Sequence, residues 1–139
     1  MPRNCPTCGA PAESIPTRED KALYRDNIYS MTKYHQEEMV LLIGKHYGIP
    51  AVAPRFFNVY GPRQRPDSMY AAAVPIFVRR LLDNKPITIF GDGGQTRDLI
   101  NVRDVVRAYA LMLAHGEPGE AYNVGSGKGY SIQSLLDTL

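Results

Sequence analysis

The sequence predicts an α/β fold built around a parallel sheet. Apolar stretches with a helical repeat alternate with short apolar runs bounded by Gly and Pro, the order that helix-covered parallel strands require. At 139 residues the chain has the length of one domain. An apolar fraction of 44% and a charged fraction of 22% suit a packed, water-exposed protein.

The elements follow in order. Residues 1–22 carry four prolines and no periodicity, and read as loop. Asp26 or Asn27 offers an N-cap for a helix from Tyr29 to about Tyr47, whose apolar stripe is Met39, Leu42, Ile43 and Tyr47. Gly48 and Pro50 end it. Ala51–Val59 reads as one buried strand, although Pro54 removes a ladder donor from its interior. A Pro- and Arg-rich loop from Tyr60 to Ser68 precedes a second helix, roughly Ala71–Asp83, with Val74, Phe77, Val78, Leu81 and Leu82 on one face. Ile87–Phe90 reads as a brief strand, ended by the turn Gly91–Gly94. Asp104 is a suitable N-cap for a third helix to about His115. Ala121–Val124 makes another strand, and a fourth helix begins near Ser131. These strands are too few for a complete doubly wound sheet, so the expectation is a piece of a larger fold.

Charge and composition exclude several classes. A net charge of +2, with its basic residues dispersed, gives no footprint for nucleic acid. No apolar run reaches the roughly 18 residues a membrane helix needs, and the N-terminus lacks a secretory pattern. The expected location is the cytoplasm.

Both cysteines fall in Cys5-Pro6-Thr7-Cys8-Gly9. Two thiolates on one tight turn suit a zinc ion, but a structural zinc takes four ligands. His35, His46 and His115 are scattered without ligand spacing. The pair is therefore either a reduced dithiol in a tail or half of a zinc site whose other ligands lie outside the chain.

Three constellations could carry chemistry. Tyr29 and Lys33 lie four apart, one turn along a helix face. A cation held beside a phenol stabilises the phenolate, so the pair could exchange a proton with a substrate hydroxyl. The same spacing also arises from two polar side chains on a helix rim. At the end of the expected strand, Arg55-Phe56-Phe57-Asn58-Val59-Tyr60-Gly61-Pro62-Arg63 places an Asn and two Arg where open α/β sheets bind ligands. They could hold a diphosphate, or Asn58 could cap a turn beside solvated arginines. The third is Ile87–Asp98. It lacks the glycine spacing of a P-loop or a dinucleotide fingerprint, and reads as a tight hairpin presenting Gln95 and Arg97.

Taken together, YSMTK, RFFNVYGPRQ, ITIFGDGGQTRDLINVRDVVRAY and YNVGSGKGYSI resemble the C-terminal half of the extended short-chain dehydrogenase/reductase family. Within it they are most similar to NAD-dependent sugar-nucleotide epimerases and dehydratases. The resemblance runs from about Pro16 to Leu139. It implies the C-terminal part of a Rossmann-like doubly wound sheet plus the small α/β substrate-binding subdomain, with the N-terminal dinucleotide-binding half absent. The expected division is a 1–22 loop and a partial epimerase/dehydratase domain over 23–139.

The resemblance also implies roles. Tyr29 matches the family's acid/base tyrosine, and Lys33 the lysine that bonds the cofactor ribose. Phe56 and Phe57 fall at the nicotinamide end of NAD. Asn58 and Arg97 match residues that contact the substrate diphosphate. Gln95 sits in the same turn, Arg63 beside the strand end, and Asn123 opens the segment bordering the nucleotide pocket. The family's GxxGxxG loop is missing, as is the catalytic Ser or Thr that precedes its tyrosine. The reading that follows is a fragment of an epimerase, inactive alone and homodimeric in the full-length parent. The alternatives are a 4,6-dehydratase fragment, a non-catalytic sugar-nucleotide-binding module, or a small zinc-ribbon interaction protein.

Overall fold

The computed structural model describes residues 4–11, 15–67 and 72–139. Four helices and five short strands alternate: α1 (Ile28–Tyr47), β1 (Ala53–Phe56), β2 (Asn58–Tyr60), α2 (Ala73–Leu82), β3 (Thr96–Asn101), α3 (Val102–His115), β4 (Ala121–Val124), β5 (Gly129–Ser131) and α4 (Ile132–Thr138). The N-terminal residues are not featureless loop. Cys5 N–H donates to the Ala10 carbonyl at 2.8 Å, Gly9 N–H donates to the Cys5 carbonyl at 2.9 Å, and Asn4 bridges Pro11, closing a small hairpin around the two thiols.

Helix α1 begins where Asn27 can cap it. Its side-chain oxygen accepts from Ser30 N–H at 2.8 Å, and Ser30 Oγ accepts from Asn27 N–H at 3.2 Å, a reciprocal capping box. Ser30 is thus engaged at the helix start. Gly48 closes the helix with φ +66°, the left-handed geometry glycine adopts without a Cβ penalty.

The expected strand Ala51–Val59 is two strands. β1 pairs with β4 in parallel, Ala53 opposite Ala121. Phe57 N–H still donates to Val124 O at 3.0 Å. The chain then leaves that partner, and β2 pairs in parallel with β3, Asn58 opposite Leu99. β3 also pairs antiparallel with β5, giving the order β2-β3-β5. The register passes through Pro54 without a break. Ala53 N–H donates to Glu120 O, just before β4, and Phe57 N–H to Val124 O at its end, so alternate positions face that side and Pro54 turns its missing donor to the other edge.

Several expected details give way. Ile87–Phe90 forms no strand; its alternating Ile residues find no partner ladder. Gly91–Gly94 therefore closes no hairpin, and leads instead into β3, a strand whose polar start (Thr96, Arg97, Asp98) hides its character. Asn101, not Asp104, caps α3, accepting from Arg103 N–H at 3.0 Å; Asp104 sits in the first turn and pairs with Arg107. The proposed start of α2 at Ala71 and the loop end at Ser68 lie outside the described residues.

The core is Ile100, Val105 and Val124, with Val59, Ala108 and Met112 packed against it. It joins both sheets to α3. The stripe expected on α1 does not reach it. Met39, Leu42, Ile43 and Tyr47 are all exposed, Tyr47 by 71%, and the helix turns Gly44 inward instead. Among the described residues no helix is long and apolar enough to cross a membrane.

Candidate functional site

The split at Phe57 creates two neighbouring clefts. One, of about 600 Å³, lies between α1, β1 and α3 and is lined by Tyr29, Lys33, Phe56 and Tyr109, among others. The helix spacing brings Lys33 Nζ to 5.8 Å from the Tyr29 ring centroid, and the same ammonium donates to Gln36 Oε1 at 3.2 Å. The Phe56 ring meets that of Tyr109 with centroids 5.6 Å apart, joining the strand end to α3. Tyr34 lines the same cleft; the Glu38 carboxylate accepting from its hydroxyl at 2.5 Å pushes that phenol above its ordinary range.

Arg55 also lines this cleft but is already engaged. Its Nε and Nη2 donate to the two Glu37 oxygens at 2.8 and 2.6 Å, and its Nη1 donates to Glu19 O at 2.7 Å. The Glu37 carboxylate raises the Arg55 pKa further. A forked, half-buried pair of this kind fixes β1 against α1. It does not present a cation to a phosphate, so of the two arginines flanking Asn58, Arg55 is structural.

The second cleft, of about 710 Å³, opens where β2 and β3 begin and β4 ends. Phe57, Asn58, Arg97, Asp98, Asn123 and Lys128 line it, with Ile15–Thr17 along one side. Asn58 Nδ2 donates to Asp98 O at 3.0 Å, locking β2 to β3. Asn123 holds the N-terminal segment: its side-chain amide donates to Thr17 O at 2.8 Å, and its N–H to Glu19 Oε1 at 3.1 Å. The segment 15–19 is thus strapped over β4.

Asp98 organises this end. Its carboxylate accepts from Ser126 N–H at 2.7 Å, Ser126 Oγ at 2.8 Å and Gly127 N–H at 2.9 Å. The loop passes so close that a Cβ on Gly125 would stand 2.6 Å from Asp98 Oδ2 and 3.0 Å from the Phe57 ring. Only glycine fits there.

Of the expected substrate-binding residues, Arg63 and Gln95 line neither cleft. Arg63 lies in the exposed turn after β2, at φ +68°. Gln95 donates to Phe90 O at 2.9 Å while its own carbonyl accepts from Ile132 N–H at 3.1 Å, tying the glycine turn to α4. Sequence reasoning in turn missed Asp98, Glu37, Tyr109 and Lys128. For Asp98 a signal exists in the GSG that follows Val124, since glycines at a strand end mark a close approach. A larger hollow of about 950 Å³ under the end of α1, by Leu41, Ile49 and Pro118, contains none of the site residues expected from the sequence.

The cysteines sit apart from both clefts. The Cys8 and Thr7 N–H groups point at Cys5 and lower its thiol to about 7. Both thiols are free, and no group of three His, Cys, Asp or Glu stands together among the described residues. The pair has no further ligand there, so zinc gains no support.

One cleft therefore offers a phenol and an ammonium beside aromatic rings, and its neighbour a guanidinium and amides at strand ends. Known proteins share the fold. The fold matches the crystal structure of UDP-glucose 4-epimerase from Thermotoga maritima with UDP-glucose, at a TM-score of 0.82 and 36% identity over 91% of this chain. It also matches UDP-glucuronic acid 4-epimerase from Bacillus cereus in complex with UDP-glucuronic acid and NAD, at 0.78 and 35% over 90%. A dTDP-glucose 4,6-dehydratase from Actinoplanes is 37% identical over 109 residues, 78% of this chain. The chain spans 40%, 39% and 33% of the length of these three proteins. The family model for NAD dependent epimerases and dehydratases matches residues 5–125, and with it the helix bearing Tyr29, the Phe57 switch and the Arg97 strand. On sequence and fold alike, this chain belongs to the NAD dependent epimerase/dehydratase family.

Proposed function

We propose that this chain supplies the acid/base and substrate-binding part of an NAD-dependent sugar-nucleotide epimerase. The observation that carries the reading is that Tyr29, Lys33 and Phe56 share one cleft while Phe57, Asn58 and Arg97 share the next, either side of one strand switch. A reacting sugar in the first cleft can keep its diphosphate in the second.

The donor set of the first cleft fits the nicotinamide end of NAD: Lys33 and Tyr29 would hold the ribose, and the Phe56–Phe57 backbone would border the ring. When bound, NAD supplies the hydride acceptor and donor. Tyr29 would take the proton of the sugar hydroxyl on oxidation and give it back on reduction. Lys33 favours the phenolate through its charge. Arg97 and Asn58 anchor the diphosphate, so the sugar can turn without being lost. The sequence contains no GxxGxxG loop, and the reading assigns the cofactor's diphosphate to residues other than these.

Two finer points belong to the same reading. The apolar stripe exposed on α1 would be covered in a homodimer of the full-length parent. The enzyme would work in the cytoplasm on a soluble nucleotide sugar. A 4,6-dehydratase is the second reading, favoured by the Actinoplanes relative.

Isothermal titration of the chain with UDP-glucose, UDP-glucuronate and dTDP-glucose tests the substrate half. Binding of one of them, lost in Arg97→Gln, is expected; no binding of any would overturn the reading. Turnover of a bound sugar by this chain alone would contradict the assignment of the cofactor's diphosphate elsewhere.

A further inference from the structure

Among the described residues Asp98 is the only acidic one lining the second cleft, and its two carboxylate oxygens are taken up by donors of the 125–128 loop. Two cations line that cleft, Arg97 and Lys128. Neither forms an ion pair among the described residues; Arg97 makes a hydrogen bond to Thr96 O at 2.8 Å. The ion pairs that do exist elsewhere consume Arg18, Arg55, Arg65, Arg79, Lys85 and Arg107. Two unmatched positive charges around one concavity attract an anion.

Lys128 lies just before β5, at the end of the loop that Asp98 holds, and Arg97 stands opposite Tyr130 two positions further on. Both long side chains line the same cleft, so two cations can meet one ligand there. The loop N–H groups cannot supply the second contact, because Ser126 and Gly127 donate inward to Asp98.

We infer that Lys128 is the second cation of a diphosphate site, facing Arg97 and held in place by the Asp98-bound loop. The inference rests on the proposed sugar-nucleotide reading and adds to it a residue that sets charge selectivity. A monophosphate would engage one cation, and a neutral sugar neither.

The test uses the full chain and two probes, inorganic pyrophosphate and UDP, titrated calorimetrically at low and physiological salt. Lys128→Gln should weaken both by about fivefold, with a smaller loss at the higher salt, and Lys128→Arg should restore them. Thermal melting should not change, because Lys128 is exposed and makes no ion pair among the described residues. If Lys128→Gln binds both probes as the unsubstituted chain does, the inference falls and the sugar-nucleotide reading stands. If pyrophosphate binding depends on Lys128 but UDP does not bind, the inference stands and the reading falls. Failure of both probes to bind overturns both.

Discussion

The two clefts handle charge in opposite ways. Around Tyr29 and Lys33, Arg55 is forked onto Glu37 and also reaches Glu19 O, so charge is spent on holding β1 to α1. Around Arg97, the carboxylate of Asp98 is satisfied by backbone and hydroxyl donors, which leaves the cations to the cleft. A protein can thus set a site's preference by choosing what its acids bind: cations in one place, N–H groups in another.

Substitutions can break this contrast. The largest effect is expected at Arg55→Met, which leaves Glu37, its side chain 17% exposed, without its partner. Stability should fall by about 2–3 kcal/mol, read as a lower urea midpoint at unchanged slope. An unchanged midpoint would mean the fork contributes only orientation. Asp98→Ala removes one acceptor shared by three donors, all near solvent, and should cost about 1.5 kcal/mol. The sharper signature is faster amide exchange at Ser126 and Gly127, with α1 unaffected; uniform loss of protection would show that the two ends unfold as one unit.

Asn27→Ala removes the cap beneath Tyr29 and should cost about 1 kcal/mol, with the loss confined to the first turn of α1. The smallest effect concerns a site outside both clefts. Cys5, with its thiol lowered to about 7, is mostly thiolate above that pH. Its alkylation rate in Cys8→Ser should rise through about pH 7 and then level off. An inflection in the ordinary thiol range, near 9.0, would show that the N–H groups of Thr7 and Cys8 do not point at it.

The sequence made the helices more legible than the strands. Asn27 and Gly48 carry cap chemistry that acts locally, so the limits of α1 could be read directly. β3 and β5 escaped because Thr-Arg-Asp and Gly-Tyr-Ser look like loop until a partner supplies the ladder. Ile87–Phe90 misled for the converse reason, an alternating pattern with no neighbour to pair. The α1 stripe shows that periodicity reports a helix but not which surface covers it. At the site, the motifs singled out Tyr29, Lys33 and Phe56 of one cleft and Phe57, Asn58, Arg97 and Asn123 of the other by type. What they could not convey was that Arg55 had a partner 18 positions earlier in Glu37, or that Asp98 faced inward across 28 positions to Ser126.

Phe57 belongs to neither strand, yet it bonds the last residue of β4 just before the chain changes sheets. Side chains alternate with a period of two, so inserting or deleting one residue here would turn the downstream strand inside out relative to the upstream one. The position is therefore a natural seam for chimaeras. On the proposed reading, segments exchanged after Phe57, with its length kept, would carry the Arg97 cleft with them and leave Tyr29 and Lys33 of α1 in phase.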